Sequence, residues 1–454
     1  MAQVVRPGRK SRVFLWIAGI VLALFAVSNV NAAERLRVII ETDAGGDPDD
    51  EQSLVRFLLY VNEWDVEGMI ANRPVKRSPK NLNPESTGLA IVQRLVKAYG
   101  ECHPRLVQHD PRYPPAQQLL ERTVPGYDDT DVAVDLLIAA ADAPDPRPIW
   151  YSDWGTDNGA AVNNLRRALD RILQQRGPEG YARFKSRWRI TGMDKFAEHT
   201  RVIDPPFPLF VDTFWPELNG KRWYHQFSAV TATAGGFDIE RDCRNGHGPL
   251  GAMYPLNTSH PQKEGDSMCF LYWAPTGMND VQQPTWSSWG GRYGLNPELS
   301  SRNYYWANQE DAWNGTTSRN NTLARWAEAL QNDFRARLDW CVRRRADANH
   351  PPVVRLSGDL HRTISPEARL ELNAAGSIDP DGQSLTYQWQ IDPVPGSYQG
   401  EVAFENDRAA RTAVTFPKAA AGKTVHVLLT VQDNGQPPLT RAARTVIDVS
   451  VELN

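Results

Sequence analysis

The sequence predicts an α/β domain, built on a mostly parallel sheet with helices on both faces, followed by an all-β sandwich. Two observations carry this. First, short β-branched or aromatic runs alternate with helical stretches. Val38-Ile39-Ile40, Val66 to Ala71, Pro148 to Asp153 and Trp188 to Thr191 are the runs, and repeated βα units of this kind favour a parallel sheet. Second, the apolar period changes to two in the last hundred residues. Val425, Val427, Leu429 and Val431 alternate with His426, Leu428, Thr430 and Gln432, and Asp381-Gly382 and Asn434-Gly435 mark turns. The expected boundaries are a signal peptide over 1–32, the α/β domain over 33–345, a linker over 346–352 and the sandwich over 353–454.

The N-terminus reads as an export signal. Basic Arg6 to Arg12 precede an uncharged apolar run, Val13 to Val27, and Val30-Asn31-Ala32 offers a cleavage site. The formal charge of −4 falls by four, to −8, once Arg6, Arg9, Lys10 and Arg12 are removed. Such an acidic mature chain argues against nucleic acid as a partner. No mature segment has the length and apolarity to span a membrane, so no stable insertion is expected after cleavage. Cys102, Cys243, Cys269 and Cys341 are widely spaced. They do not suit zinc. One or two disulfides fit an oxidising compartment with the pairing left open, and buried thiols fit equally.

The most informative stretch follows the first strand. Glu41-Thr42-Asp43 ends the strand, Ala44 to Pro48 form a glycine-bearing turn, and Asp49-Asp50-Glu51 open a helix whose apolar face is Leu54, Phe57, Leu58 and Val61. Asp caps helices and makes turns. Capping accounts for one of Asp43, Asp47, Asp49 and Asp50, not for all four. Their mutual repulsion calls for a cation or a hydroxyl-rich ligand, and a hard, oxygen-liganded ion such as calcium suits them best.

Thr42 to Asp50 resembles the N-terminal signature of nucleoside hydrolases, D-x-D-P-G-x-D-D, with two extra residues in the loop. Further runs resemble the nucleoside-hydrolase-like domain of secreted bacterial proteins described as cellulose-binding. They are Gly248 to Pro255, Lys263-Glu264-Gly265-Asp266, Trp286 to Tyr293, Asn349 to Val354 and Asp379 to Gly382. The resemblance implies calcium held by Asp43, Asp50 and Asp266, with a backbone carbonyl from Thr156 or Asp157. It implies a substrate-binding role for Asn72, and Asp49 as base or hydroxyl partner. Nucleoside hydrolases carry a histidine before the late aspartate, associated with the leaving base. Gly265 stands there, so a glycoside or oligosaccharide is expected rather than a nucleoside, with Glu264 as a candidate acid. A non-catalytic carbohydrate-binding protein and a periplasmic nucleoside hydrolase are the alternatives. The oligomeric state is open.

The remaining elements follow in order. Ser86 to Tyr99 reads as a helix stopped by Gly100, with a surface loop over 101–131 that holds His103 and His109. Val132 to Ala141 and about Ala160 to Leu173 read as helices. From Gly235 to Tyr305 helical periodicity fades, and long irregular stretches inside a domain tend to be functional. There Trp286, Trp289 and Arg292 are candidate sugar-binding residues, because aromatic faces beside polar groups suit sugar rings. Thr322 to Arg344 reads as an amphipathic helix. The sandwich resembles immunoglobulin-like or cadherin-like modules of secreted bacterial enzymes.

Overall fold

A computed structural model describes Met1 and residues 34–127, 130–156, 163–192, 204–218, 221–224, 227–234, 236–256 and 261–451. The predicted signal peptide beyond Met1, and Asp157, lie outside these residues. The strands of the first domain are β1 (Leu36–Thr42), β2 (Trp64–Ala71), β3 (Thr123–Pro125), β4 (Ile149–Asp153), β5 (Trp188–Gly192), β6 (Phe210–Asp212), the hairpin of β7 (Phe214–Leu218) and β8 (Lys221–Tyr224), β9 (Gly294–Leu295) and β10 (Tyr304–Trp306). Eight of them make one sheet in the order β3-β2-β1-β4-β5-β6-β10-β9. All its pairings are parallel except β9 on β10.

Val38, Ile39 and Ile40 are fully buried because β1 is covered on both faces. Val38 and Ile40 join the core beneath α1 (Asp49–Leu58) and α2 (Gly88–His109). Ile39, on the opposite face, joins the core beneath α4 (Val132–Asp142) and α5 (Asn164–Ser186), while α3 (Ala116–Glu121) packs against α2. The chain runs outward from β1 to β3, then crosses back to β4 on the other side of β1. The carboxyl ends of β1 and β4 therefore flank the topological switch point, where open α/β sheets bind ligands.

Two helices differ from expectation. Gly100 does not stop α2, which continues to His109 with Pro104 inside it. Cys102, Leu106 and His109 prolong its buried face, and a side chain at Gly100 would strike Ala116, 2.8 Å from an added Cβ. The glycine is there for packing. The predicted helix from Ala160 to Leu173 instead starts at Asn164, capped by Asn163 accepting from the Arg166 amide at 3.0 Å. It runs to Ser186 with a kink at Gly177.

Beyond the β11 (Asp311–Trp313) and β12 (Thr316–Ser318) hairpin come two short helices, α6 (Asn321–Ala324) and α7 (Ala327–Trp340), and then the strand-rich C-terminal region. There β13 (His361–Ile364), β18 (Thr440–Val449), β17 (Thr424–Gln432) and β15 (Thr386–Asp392) form one sheet, and β14 (Arg369–Asn373) pairs with β16 (Arg411–Thr415) in another. Leu372 and Val414 from the smaller sheet share a core with Trp389, Val427, Leu429 and Ile447 from the larger.

The other face of β17 is also covered. Leu428 and Ala442 belong to the core of the first domain. At the junction Asp392, fully buried, binds Arg292 at 2.8 Å and Arg444 at 2.8 Å and accepts from Ser287 at 3.1 Å. Asp311 pairs with Arg292 at 3.0 Å and with Arg325 at 2.9 Å. Within the expected linker, Asn349 and His350 are buried. Asn349 donates to Pro437 O at 2.8 Å, and His350 Nδ1 lies 2.9 Å from Asp381. Among the described residues no helix is long and apolar enough to cross a membrane.

His426 gives the junction a pH signature. Its Nδ1 faces the Arg444 guanidinium at 3.3 Å and its ring meets Trp286 edge-on. Burial, and then Arg444, lower its pKa to about 4, against about 6.5 in an unfolded chain. The unfolded state therefore binds the proton more readily. The stability tied to neutral His426 is present above about pH 6.5 and is lost as the pH falls towards 4. His426→Gln is expected to flatten the fall in melting temperature between pH 7 and 4.5. An unchanged slope would show that His426 does not contribute.

Candidate metal and sugar site

The site is built where β1 turns into α1. Gly45, at φ +96°, takes a left-handed conformation that favours glycine, and the Gly46 amide closes the turn on Asp43 O at 3.0 Å. Helix α1 begins after Pro48 with no side-chain cap. Asp49 and Asp50 are therefore not caps. Thr42 Oγ1 donates to Asp50 Oδ1. Asp266 stands at the entry of a short helix, Ser267–Leu271, that packs against α1, and it too makes no capping bond.

Asp49, Asp50 and Asp266 are all buried and bring carboxylate oxygens within 4.8 Å of one another. Burial, and then the charges of Asp266, Asp43 and Asp49, push the Asp50 carboxyl well above its usual range. Burial, Asp49 and Asp43 do the same to Asp266. Asp266 Oδ2 is buried without a hydrogen-bond partner among the described residues. A buried cluster of this kind, with oxygen donors only, fits a hard cation such as calcium. Asp43 is half-buried at its edge, where Gly155 approaches so closely that an added Cβ would lie 2.7 Å from Asp43 Oδ1. Thr156 follows Gly155 and is half-buried. The carbonyl of the preceding Gly155 is taken by Asn72 Nδ2 at 2.7 Å.

Several residues have other work than the sequence suggested. Asn72 is fully buried and donates to Glu41 Oε1 at 3.0 Å as well as to Gly155 O. It supports the loop from beneath instead of facing a substrate. Glu264 is fully buried and paired with Arg56, whose Nη2 lies 3.0 Å from Oε1. It also accepts from Tyr254 at 2.8 Å, Gln262 at 2.8 Å and Ser267 at 2.8 Å. A carboxylate so fully engaged does not serve as a leaving-group acid.

The adjacent Lys263 was not foreseen. Its ammonium bridges Asp47 at 2.8 Å and Asp49 at 2.9 Å. Burial opposes its charge, yet Asp49 and Asp47 raise its pKa overall. Glu41 was also missed. It is buried under the site among Tyr151, Asn72 and Asn164, at the strand end where functional carboxylates collect. Lys263 also lines a cavity of about 590 Å³ with Phe227, Phe237, Ile239, Leu256 and Gln262.

Residues 37–293 match the family model described as "Cellulose-binding Sde182, nucleoside hydrolase-like domain". The chain belongs to this family. Residues 369–449 match the Sde0182 C-terminal domain family, also described as cellulose-binding. Among solved structures, a nucleoside hydrolase-related hypothetical protein from Saccharophagus degradans, described as associated with carbohydrate metabolism, aligns at 30% identity with a TM-score of 0.72. The alignment covers 92% of this chain and 100% of that one. A PKD domain covers 22% of this chain and 88% of its own at 20% identity and a TM-score of 0.18, too low to classify the sandwich. No curated protein matches.

In this Sde182-family chain the Trp286-to-Tyr293 motif does not line the acidic site. Trp289 is 2% exposed beneath Arg441, and Arg292 is fully buried in the junction with Asp311 and Asp392. Trp286 is half-buried, with Arg444 4.8 Å from its ring centre. Trp286, Trp289 and Arg292 bind the sandwich, while Tyr293 packs on Tyr272 in the first core. Composition could not separate this from a sugar cleft, because both use aromatic rings beside charged and polar groups.

The last distinctive position is Gly265. A Cβ there would come within 2.5 Å of Asp49 Oδ2. Gly265→Ala is expected to displace the Asp49 carboxylate and weaken calcium binding about 10-fold, with little change in melting temperature in calcium-free buffer. Titration calorimetry checks it, and wild-type affinity would remove Asp49 from the ion's surroundings.

Proposed function

We propose that this chain is an exported, calcium-dependent hydrolase that cleaves the glycosidic bond of a glycoside or oligosaccharide at the Asp49-Asp50-Asp266 centre. The observation that carries the reading is the convergence of three buried carboxylates within 4.8 Å, with Asp266 Oδ2 left without a partner. Asp50 and Asp266 would hold the ion together with an oxygen of Asp49, with Asp43 and the Thr156 segment at the edge. When bound, calcium would anchor vicinal sugar hydroxyls and ease deprotonation of a water.

The remaining chemistry belongs to the chain. Lys263 holds the Asp49 carboxylate in place at 2.9 Å, where Asp49 would accept a proton from a hydroxyl or an attacking water. The surrounding carboxylates favour the positive charge that develops on the sugar ring as the bond breaks. A nucleobase would meet no imidazole here, because Gly265 occupies the relevant position and Asp49 fills the space beside it. Export accords with the cellulose-binding description of the matched family, since an insoluble polysaccharide is reached from outside the cell.

A second reading is binding without turnover. It is favoured by the engagement of Glu264 with Arg56, which takes the candidate leaving-group acid out of the chemistry. One experiment separates the two. The full mature chain is incubated with cello-oligosaccharides, aryl glycosides and nucleosides, with calcium or with chelator, alongside Asp49→Asn. Calcium-dependent release of reducing sugar, lost in the variant, is the expected result. Retention on cellulose with no product would establish the binding reading, and ribose release from inosine or uridine would establish nucleoside hydrolysis.

A further inference from the structure

We propose that Cys102 and Cys341 form a disulfide when the chain folds in an oxidising compartment, while Cys243 and Cys269 remain thiols. Cys102 is on α2, and Cys341 directly follows α7. One point in space touches both residues. A Cβ added at Gly248 would lie 3.3 Å from Cys102 Sγ and 3.7 Å from Cys341 Cβ. Cys341 Sγ donates to Arg337 O at 3.7 Å, one turn back on α7. The other two cysteines are engaged elsewhere. Cys243 Sγ faces Gly251 O at 3.9 Å, and Cys269 Sγ faces Thr213 Oγ1 at 3.9 Å. Four cysteines allow three complete pairings. The packing of α2 against α7 brings together one pair and leaves the other two residues with separate partners.

The chemistry requires a disulfide oxidant, either oxidised glutathione or a dithiol oxidase of the exporting compartment. The Cys102 thiolate attacks the oxidant's disulfide and releases one of its thiols. Cys341 then displaces the second, so that one S–S bond forms within the chain as one in the oxidant breaks. Two protons and two electrons pass to the oxidant. Both side chains are buried, at 1% and 4% exposure, so the reaction must precede final packing. The bond would close a loop of about 240 residues, and long loops give the largest constraint on the unfolded chain. It would also tie α2 to the segment that leads into the sandwich, where His109 stacks on Trp340 and His350.

The test compares the full chain purified from an oxidising compartment with the same chain from a reducing cytosol. Both are unfolded without reductant, alkylated and mapped by mass spectrometry. The exported protein is expected to be alkylated at Cys243 and Cys269 alone and to yield a linked Cys102–Cys341 peptide pair. Dithiothreitol is expected to lower its melting temperature by several degrees. Cys243→Ser should keep the link, and Cys341→Ser should leave Cys102 alkylatable. Alkylation of all four cysteines in the exported protein would overturn the proposal, and so would a link from Cys102 to Cys243 or Cys269.

Discussion

Asp392→Ala is expected to destabilise the whole molecule by about 3–5 kcal/mol, the usual cost of leaving a buried charge without its partner. Two guanidiniums would be left. Arg292 is fully buried and retains Asp311, whereas Arg444, at 5% exposure, has Asp392 as its carboxylate partner. Chemical denaturation of variant and wild type measures the loss. A change below about 1 kcal/mol, the scale of exposed ion pairs, would mean that solvent reaches the junction. The acid limb points the same way. Burial alone would raise the Asp392 pKa, but Arg292 and then Arg444 hold it well below the ordinary carboxylate range. The stability from ionised Asp392 is therefore present above its unfolded pKa of about 3.9 and is lost as the pH falls below that. Removing the sandwich by truncation at residue 345 is expected to be at least as damaging, because it also uncovers the core shared with Leu428 and Ala442. Binding measurements on this protein accordingly need the full chain.

Asp50→Asn is expected to move binding and stability in opposite directions. Asparagine keeps the shape and can still accept from Thr42, but it removes the charge. Calcium affinity should fall by at least about 100-fold, beyond the 10- to 100-fold seen when only an outer-shell group is lost. In chelator the same variant should melt above wild type, because Asp266, Asp43 and Asp49 no longer press on a buried carboxylate. Calorimetry and thermal melts with and without calcium give both readings. Wild-type affinity in the variant would sink the metal site. A variant that binds weakly and also melts lower in chelator would show that Asp50 serves the fold through its hydrogen bond.

Much of the fold was legible because it depends on local pattern. The β-branched run at Val38-Ile39-Ile40 marks a strand buried on both faces, and the alternation through Val425 to Gln432 marks a half-apolar strand. Both elements are present. Gly100 misled because its cause is tertiary. It has the composition of a helix stop, but it is small so that Ala116 can approach. Asp43, Asp47, Asp49 and Asp50 were legible as one chemical group because like charges spaced closely need a common ligand, whereas Asp266 entered only through the family resemblance. Lys263 was hidden by distance in the chain, since its partners Asp47 and Asp49 lie more than 200 residues earlier.

The sequence by itself determined the α/β and all-β organisation and the acidic turn after the first strand. These follow from periodicity and side-chain chemistry, which are properties of neighbours in the chain. Only the tertiary structure decided what each polar group faces. It turned Glu264 towards Arg56, Asn72 towards Glu41, and Arg292 and Trp289 into the junction with the sandwich. The physical reason is that a buried charge must find its partner wherever the fold brings one, and residues 100 or 200 positions apart share no local pattern.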